Sequence, residues 1–243
     1  MFFYSHSLMF RFKQFTVDQS GCAMKINTDG VLLGALTQTD YPESILDIGT
    51  GTGVIALMLA QRFTQAHIDA VEIDQQAANT AERNFARSAF AERLSIYPLD
   101  FEAFFARHPE KKYDLIVSNP PFYINSLKSP KAGKELAKHA DDGFFDKMIV
   151  KVSWQLAVDG LLCLILPPDT AELVKGIAEK AKLYPQIIVR IRSFEDSQPH
   201  RLIVYFGFKK PDDIGYDEFV IYKSAGNYSE DYAKLLKPYF IVF

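Results

Sequence analysis

Four consecutive residues, Asn119, Pro120, Pro121 and Phe122, have the types and order needed to hold a planar amine. The Asn side chain supplies a carbonyl acceptor, and the first proline leaves its own backbone carbonyl available. The two prolines fix φ at about −65° in a chain that cannot continue a hydrogen-bonded ladder. Phe122 adds a flat apolar face on which a base can stack. The tetrapeptide follows the apolar run YDLIV (113–117) after a single serine, so a second reading is open: Asn-Pro simply ends a strand and starts a turn.

A second constellation lies upstream. LDIGTGTG (46–53) places Asp47 and three glycines, Gly49, Gly51 and Gly53, where a strand gives way to a helix. Glycines there allow a tight turn and can expose amide N–H groups to a ligand. The spacing is G-x-G-x-G, one residue shorter than the dinucleotide fingerprint, and Asp47 would repel a pyrophosphate. A ligand carrying an ammonium or sulfonium is favoured instead, which points to S-adenosylmethionine over a nicotinamide dinucleotide. The next strand ends AVEID, giving Glu72 a position from which to accept two ribose hydroxyls. The one after ends YPLD, giving Asp100 a position near an adenine amine. Helix capping or plain surface charge is the competing reading for both, and capping is the expected role of Asp74. Glycines or acids at three successive strand ends favour a nucleoside site.

The elements that must position these residues follow from periodicity. From position 43, β-branched runs alternate with amphipathic ones: SILDI (44–48), VIALMLAQRF, HIDAVEI, QQAANTAERNFARSA, RLSIYPL, FEAFFARH, YDLIVS, GFFDKMIVKVSWQLAV (143–158) and GLLCLILP. This alternation predicts an α/β, Rossmann-like fold with a mostly parallel sheet. A helix, TAELVKGIAEKAKL, follows. Two last strands, QIIVRIRSF and RLIVYFGF, are separated by EDSQPH, too short for a crossover helix, so they should form an antiparallel hairpin. The result is seven strands with a C-terminal antiparallel hairpin. Ahead of the sheet, FRFKQFTV (10–17), a turn at 18–21 and CAMKI suggest an N-terminal β-hairpin. The tail beyond Pro211 reads as one strand and a helix capped by Ser229, docked onto the domain. Residues 1–35 are thus expected to form a hairpin and cofactor-covering segment, and 36–243 the main domain with its tail.

Composition narrows the classes. The chain has 243 residues, is 48% hydrophobic, and carries a net charge of −3 from 27 basic and 30 acidic residues. That balance argues against coating nucleic acid by bulk electrostatics. Local basic clusters remain: Arg11, Lys13 and Lys25; Lys128, Lys131, Lys134 and Lys138; and Arg190, Arg192, Arg201, Lys209 and Lys210. Each also reads as an ordinary solvated face. No apolar run is long enough to span a bilayer and the first residues lack a basic n-region, so neither membrane span nor signal peptide is expected. Cys22 and Cys163 are far apart and suggest neither disulfide framework nor metal site; a reducing cytoplasm fits.

Taken in order, LDIGTGTG, AVEID, PLD and SNPPF resemble the class I methyltransferases that modify exocyclic nitrogens. More narrowly, residues 10–35, above all MKINTDGVLLGA, resemble the bacterial tRNA adenine-N6 methyltransferases that act beside the anticodon of a valine tRNA, and the likeness extends to YSEDYAKLLKPYFI in the tail. The resemblance implies a seven-stranded methyltransferase fold, S-adenosylmethionine as cofactor, tRNA as partner and no metal. It implies that Asp47, Gly49, Gly51 and Gly53 hold the methionine end, Glu72 the ribose and Asp100 the adenine, with Thr28 and Asp29 as a further piece of the pocket unless they merely open a helix. Asn119, Pro120, Pro121 and Phe122 become the amine-positioning motif, Asn119 also bordering the cofactor. The sequence departs from the family at Phe122, where many relatives have tyrosine, and at Lys138, where arginine is expected before His139. His139 reads as a surface or substrate contact rather than a base. Rival acceptors are a protein glutamine amide and guanine N2 of ribosomal RNA; a non-catalytic nucleotide- or RNA-binding module is the rival from another class.

Overall fold

The computed structural model describes residues 8–121 and 143–243. Its centre is an eight-stranded sheet built from β3 (Ser44–Ile48), β4 (His67–Val71), β5 (Leu94–Tyr97), β6 (Tyr113–Ser118), β7 (Leu156–Leu166), β8 (Tyr184–Arg192), β9 (Arg201–Gly207) and β10 (Gly215–Val220), in the order β10-β8-β9-β7-β6-β3-β4-β5. Strand β9 runs antiparallel to both β7 and β8, as the short EDSQPH link requires. The tail strand β10 pairs parallel to β8 and adds an eighth strand at the edge. Its pattern is exposed over Gly215, Tyr216, Asp217 and Glu218, which is what an edge strand shows.

Both faces are covered, and the strand sequences explain why. Along β3, β6 and β7 successive residues feed opposite cores: Ile45, Leu115, Val117, Cys163 and Ile165 face one way, Leu46, Ile48, Ile116, Leu162 and Leu164 the other. Such runs of apolar residues suit a sheet buried on both sides. The first core is closed by α1 (Thr28–Leu36), α2 (Val54–Arg62), α3 (Gln75–Ala86) and the tail helix α7 (Glu230–Leu236). The second is closed by α4 (Phe101–Arg107), α5 (Phe144–Gln155) and α6 (Pro168–Lys180). The caps fall where sequence places them: Asp74 accepts from the Ala77 amide at 2.7 Å and Ser229 from the Tyr232 amide at 3.0 Å.

Two local expectations are corrected. The N-terminal hairpin is shifted, with β1 (Met9–Arg11) pairing with β2 (Thr16–Asp18), so its turn lies inside the FRFKQFTV run and CAMKI is not a strand. Phe12 and Phe15 decide this: they stack at 4.4 Å, both are buried, and the Phe12 amide donates to the Phe15 carbonyl. The helix expected over 143–158 ends at Gln155, and Leu156 already has extended backbone at the start of β7. Beyond the sheet lies a small hairpin, β11 (Tyr222–Ser224) with β12 (Asn227–Tyr228), whose Tyr222, Tyr228 and Tyr232 rings stack into the tail helix. Cys22 and Cys163 are buried free thiols. Among the described residues, no helix is long and apolar enough to cross a membrane.

Candidate active site

Strand order reverses at β3, which has β4 on one side and β6 on the other. In open α/β sheets the crevice at such a switch point, at the carboxyl ends of the strands, is where ligands bind. Ile48 and Ser118 are register partners at that edge. The glycine-rich loop leaving β3 and the Asn-Pro-Pro turn leaving β6 therefore emerge about 5 Å apart. The Ser118 hydroxyl donates to the Ile48 carbonyl at 2.8 Å and locks the two exits together.

The loop is shaped by left-handed backbone at Gly49 (φ 72°), Gly51 (φ 56°) and Gly53 (φ 82°). A Cβ on Gly53 would lie 2.5 Å from Phe85 Cε1, so only glycine lets α3 pack there. Above Gly49 and Gly51 a Cβ would meet nothing within 4 Å, which leaves an open cradle. The loop amides are not free for a phosphate. Gly49 and Thr50 donate to the Val71 carbonyl, Gly53 to the Thr50 carbonyl and Gly51 to Glu72 Oε2. The expectation of exposed N–H groups is thus corrected at these four positions, and the cradle is a poor pyrophosphate nest.

Its charge is carried by Asp47, whose side chain is fully buried. Oδ2 accepts from the Thr50 hydroxyl at 2.6 Å, while Oδ1 is buried without a partner among the described residues. Burial pushes the carboxyl up to about 7, with the Thr50 hydroxyl and the Ala56 amide opposing and the Glu72 charge adding to the rise. A fully buried carboxylate with few donors around it favours an incoming cation. Glu72, 9% exposed, accepts from the Gly51 and Asp74 amides at 2.8 and 2.9 Å. Each oxygen retains a lone pair for a hydroxyl donor. Asp100 is exposed and caps α4, accepting from the Ala103 amide at 2.8 Å. Its capping is therefore established, and Oδ2 takes no part in it.

Asn119 completes the crevice. Its Oδ1 is a second buried acceptor without a partner among the described residues. Pro120 behind it is buried and Pro121 half-buried. The first turn of α1 lies against the amide: a Cβ on Gly30 would be 3.8 Å from Asn119 Nδ2 and 3.7 Å from Ile55 Cγ1. Thr28 and Asp29 are indeed the opening of a helix, capped by Asn27 accepting from the Gly30 amide at 2.9 Å, yet that opening borders the site. Asp29 is paired with Arg201 at 2.7 Å. Phe122, Lys128, Lys131, Lys134, Lys138 and His139 lie outside the described residues.

Sequence reading missed Asn84. Its side-chain amide donates to the carbonyls of Thr52 and Asp18 at 2.9 Å, and its Oδ1 accepts from the Asp18 amide at 2.8 Å, stitching the N-terminal hairpin to the glycine loop. Only its place on the buried face of a helix otherwise rich in polar residues marked it. Of the basic clusters, the third is largely consumed: Arg190 and Arg192 pair with Glu218, and Lys210 with Glu179. In the first, Lys13 donates to the carbonyls of Lys237 and Phe243, holding the tail.

The methyltransferase small domain family matches residues 24–153, from α1 through α5. A Pedobacter heparinus protein named tRNA1(Val) (adenine(37)-N6)-methyltransferase is 45% identical over 234 residues, covering 96% of this chain and 98% of its own length. The chain belongs to that methyltransferase family. A protein of the same name from Bacteroides fragilis is 39% identical across 96% of this chain and 97% of its own. Among solved structures, an Agrobacterium tumefaciens protein described as a predicted O-methyltransferase superposes with a TM-score of 0.68 at 19% identity, covering 87% of this chain and 96% of that one. The likeness to that structure is one of fold, while the alignments to the two named relatives span 96% of the chain.

Proposed function

We propose that this chain transfers a methyl group from S-adenosylmethionine to the exocyclic N6 of an adenine in tRNA, at the purine 3′ of the anticodon of a valine tRNA. The observation that carries the reading is the pair of buried acceptors, Asp47 Oδ1 and Asn119 Oδ1, that have no hydrogen-bond partner among the described residues and stand at the ends of adjacent strands. One suits a cation and the other an amine. The names of the full-length relatives supply the substrate.

The residues fit the cofactor by their chemistry. S-adenosylmethionine, when bound, supplies an electrophilic methyl group on a sulfonium. Asp47 meets the positive methionine end over the open faces of Gly49 and Gly51, and Gly53 holds the loop in shape. Glu72 accepts from the ribose, and Asp100 accepts from the adenine amine with the oxygen not used in capping. Thr28 closes the pocket from α1, so that residues before position 36 help cover the ligand.

Asn119 Oδ1 and the Pro120 carbonyl each accept one hydrogen of the target N6. Adenine's amine lone pair is delocalised into the ring, and holding both hydrogens favours the pyramidal geometry in which the lone pair points at the methyl group. No strong base is needed before transfer, because the proton is lost from the already methylated, cationic nitrogen. Pro121 stiffens the turn, and Phe122 is assigned the stacking face from sequence, worth about 1–3 kcal/mol to an extruded base. We place the reaction in the cytoplasm, with its tRNA substrate. Incubation of purified protein with labelled S-adenosylmethionine and either total tRNA or peptide release factor tests the reading. Label in N6-methyladenosine supports it, and label in protein glutamine overturns it.

A further inference from the structure

Asp29 was expected to touch the cofactor, yet its carboxylate is held by the first residue of β9, a strand that lies two places from β6 in the sheet. Arg201, 172 positions later, donates from Nε to Asp29 Oδ2 at 2.7 Å. The two side chains are 27% and 16% exposed, so water screens the pair only in part. The guanidinium is itself fixed, since its Nη1 donates to the His200 carbonyl at 2.8 Å and the His200 amide donates to the Ile191 carbonyl at 3.0 Å. The start of β9 thus grips the second residue of α1. The third residue, Gly30, is the one that lies against Asn119. Beside the pair, His200 Nδ1 is buried without a partner among the described residues. Burial and the Arg201 charge hold its imidazole below the ordinary range, with Asp29 opposing. The charge that grips Asp29 is therefore that of Arg201.

We propose that Arg201 is a positioning residue for methyl transfer: through Asp29 it fixes the first turn of α1 against Asn119, and so sets where the Asn119 amide acceptor stands. Asp29 then acts as the handle of this clamp, not as a cofactor ligand. The geometry favours this division of labour. Asn119 leaves β6 on a proline turn, and the first turn of α1 packs directly against its side-chain amide. The packing wall is a glycine, which has no side chain of its own to adjust. Its position depends on whatever fixes the helix turn it belongs to.

The kinetic half of this inference rests on the methyl-transfer reading above; the structural half does not. The test compares wild type, Arg201→Gln, Asp29→Asn, the double variant and Arg201→Lys. It reads kcat and KM with tRNA, S-adenosylmethionine affinity by calorimetry, and hydrogen exchange of residues 28–32. A misplacement of about 1 Å can cost roughly 100-fold in rate. Each neutral single variant should therefore lower kcat by about that factor while cofactor Kd stays unchanged and exchange at residues 28–32 rises. The double variant should fall no lower than the worse single one, and Arg201→Lys should recover part of the rate. Cofactor affinity falling in step with kcat, a double variant equal to the product of the singles, or unaltered exchange in Arg201→Gln would each overturn the clamp. If a neutral variant exchanges faster everywhere, it has lost its global fold, and Arg201→Lys decides on the same criteria. Wild type inactive on tRNA would instead overturn the functional reading, with the exchange data still deciding the clamp.

Discussion

The most quantitative prediction concerns Asp47→Asn. In the native chain burial holds the Asp47 carboxyl at about 7, against an ordinary value of 3.8. Between about pH 4 and pH 7 the unfolded chain therefore releases a proton that the native state keeps. Stability rises with pH only where the unfolded state binds more protons, so here it falls, by about 1.4 kcal/mol per pH unit. Over roughly three pH units the loss reaches about 4 kcal/mol and then levels off, because above pH 7 both states are ionised. The favourable contribution is thus present below pH 4 and gone above pH 7. Asparagine keeps the shape and removes the titration. Relative to wild type without cofactor, the variant should gain about 4 kcal/mol between pH 4 and pH 8, measured by urea unfolding at each pH. Subtracting wild type cancels other groups, such as Asp18 and Glu218, whose carboxyls are held low by hydrogen bonds from Ser20 and Arg192. The same carboxyl should make cofactor binding release a proton, since a cation beside Asp47 favours its ionised form. Affinity should then tighten as pH rises towards about 7 in wild type and stay flat in Asp47→Asn. A pH-independent stability difference between the two proteins would mean that Asp47 is ionised alike in the native and unfolded chains.

Other substitutions separate shape from chemistry in the same crevice. Gly53→Ala combines left-handed strain of about 1–2 kcal/mol with overpacking of about 1–3 kcal/mol against Phe85, so thermal or urea unfolding should show a loss of roughly 2–5 kcal/mol; a loss below about 1 kcal/mol would mean that the loop relaxes freely. Gly49→Ala meets no neighbour and should cost only the strain, about 1–2 kcal/mol, while weakening S-adenosylmethionine binding by calorimetry, because its methyl group enters the cradle. Glu72→Gln removes a charged acceptor worth about 1.5–3 kcal/mol per hydrogen bond, and cofactor Kd should rise roughly tenfold to a hundredfold; unchanged binding would leave Glu72 a purely structural brace for Gly51 and Asp74.

Much of the molecule was legible because its signals are local. Strand-helix alternation gave the sheet, the six-residue EDSQPH link fixed the final hairpin, and Asp74 and Ser229 announced their helices. The positions of Asp47, Glu72 and Asn119 followed from the rule that strand ends in α/β sheets carry the chemistry. What escaped is non-local. Arg201 reads as one of several basic residues until the sheet brings it to Asp29, and Asn84 reads as helix surface until the N-terminal hairpin folds over it. The hairpin register was misplaced because FRFKQFTV alternates smoothly through its own turn, and only burial of both Phe12 and Phe15 shows where the chain reverses. The glycine loop was placed correctly and its donors were not: which amides remain free depends on the neighbouring Val71 and Glu72.

In the proposed reaction Asn119 presents an acceptor to the target amine, one strand away from the Asp47 loop that would hold the methyl donor. The most direct test of this role is Asn119→Ala, with nucleoside mass spectrometry of methylated tRNA beside calorimetry with S-adenosylmethionine. The variant should fold unchanged, bind cofactor close to wild type, and lose N6-methyladenosine formation. Turnover retained in the variant would contradict this role.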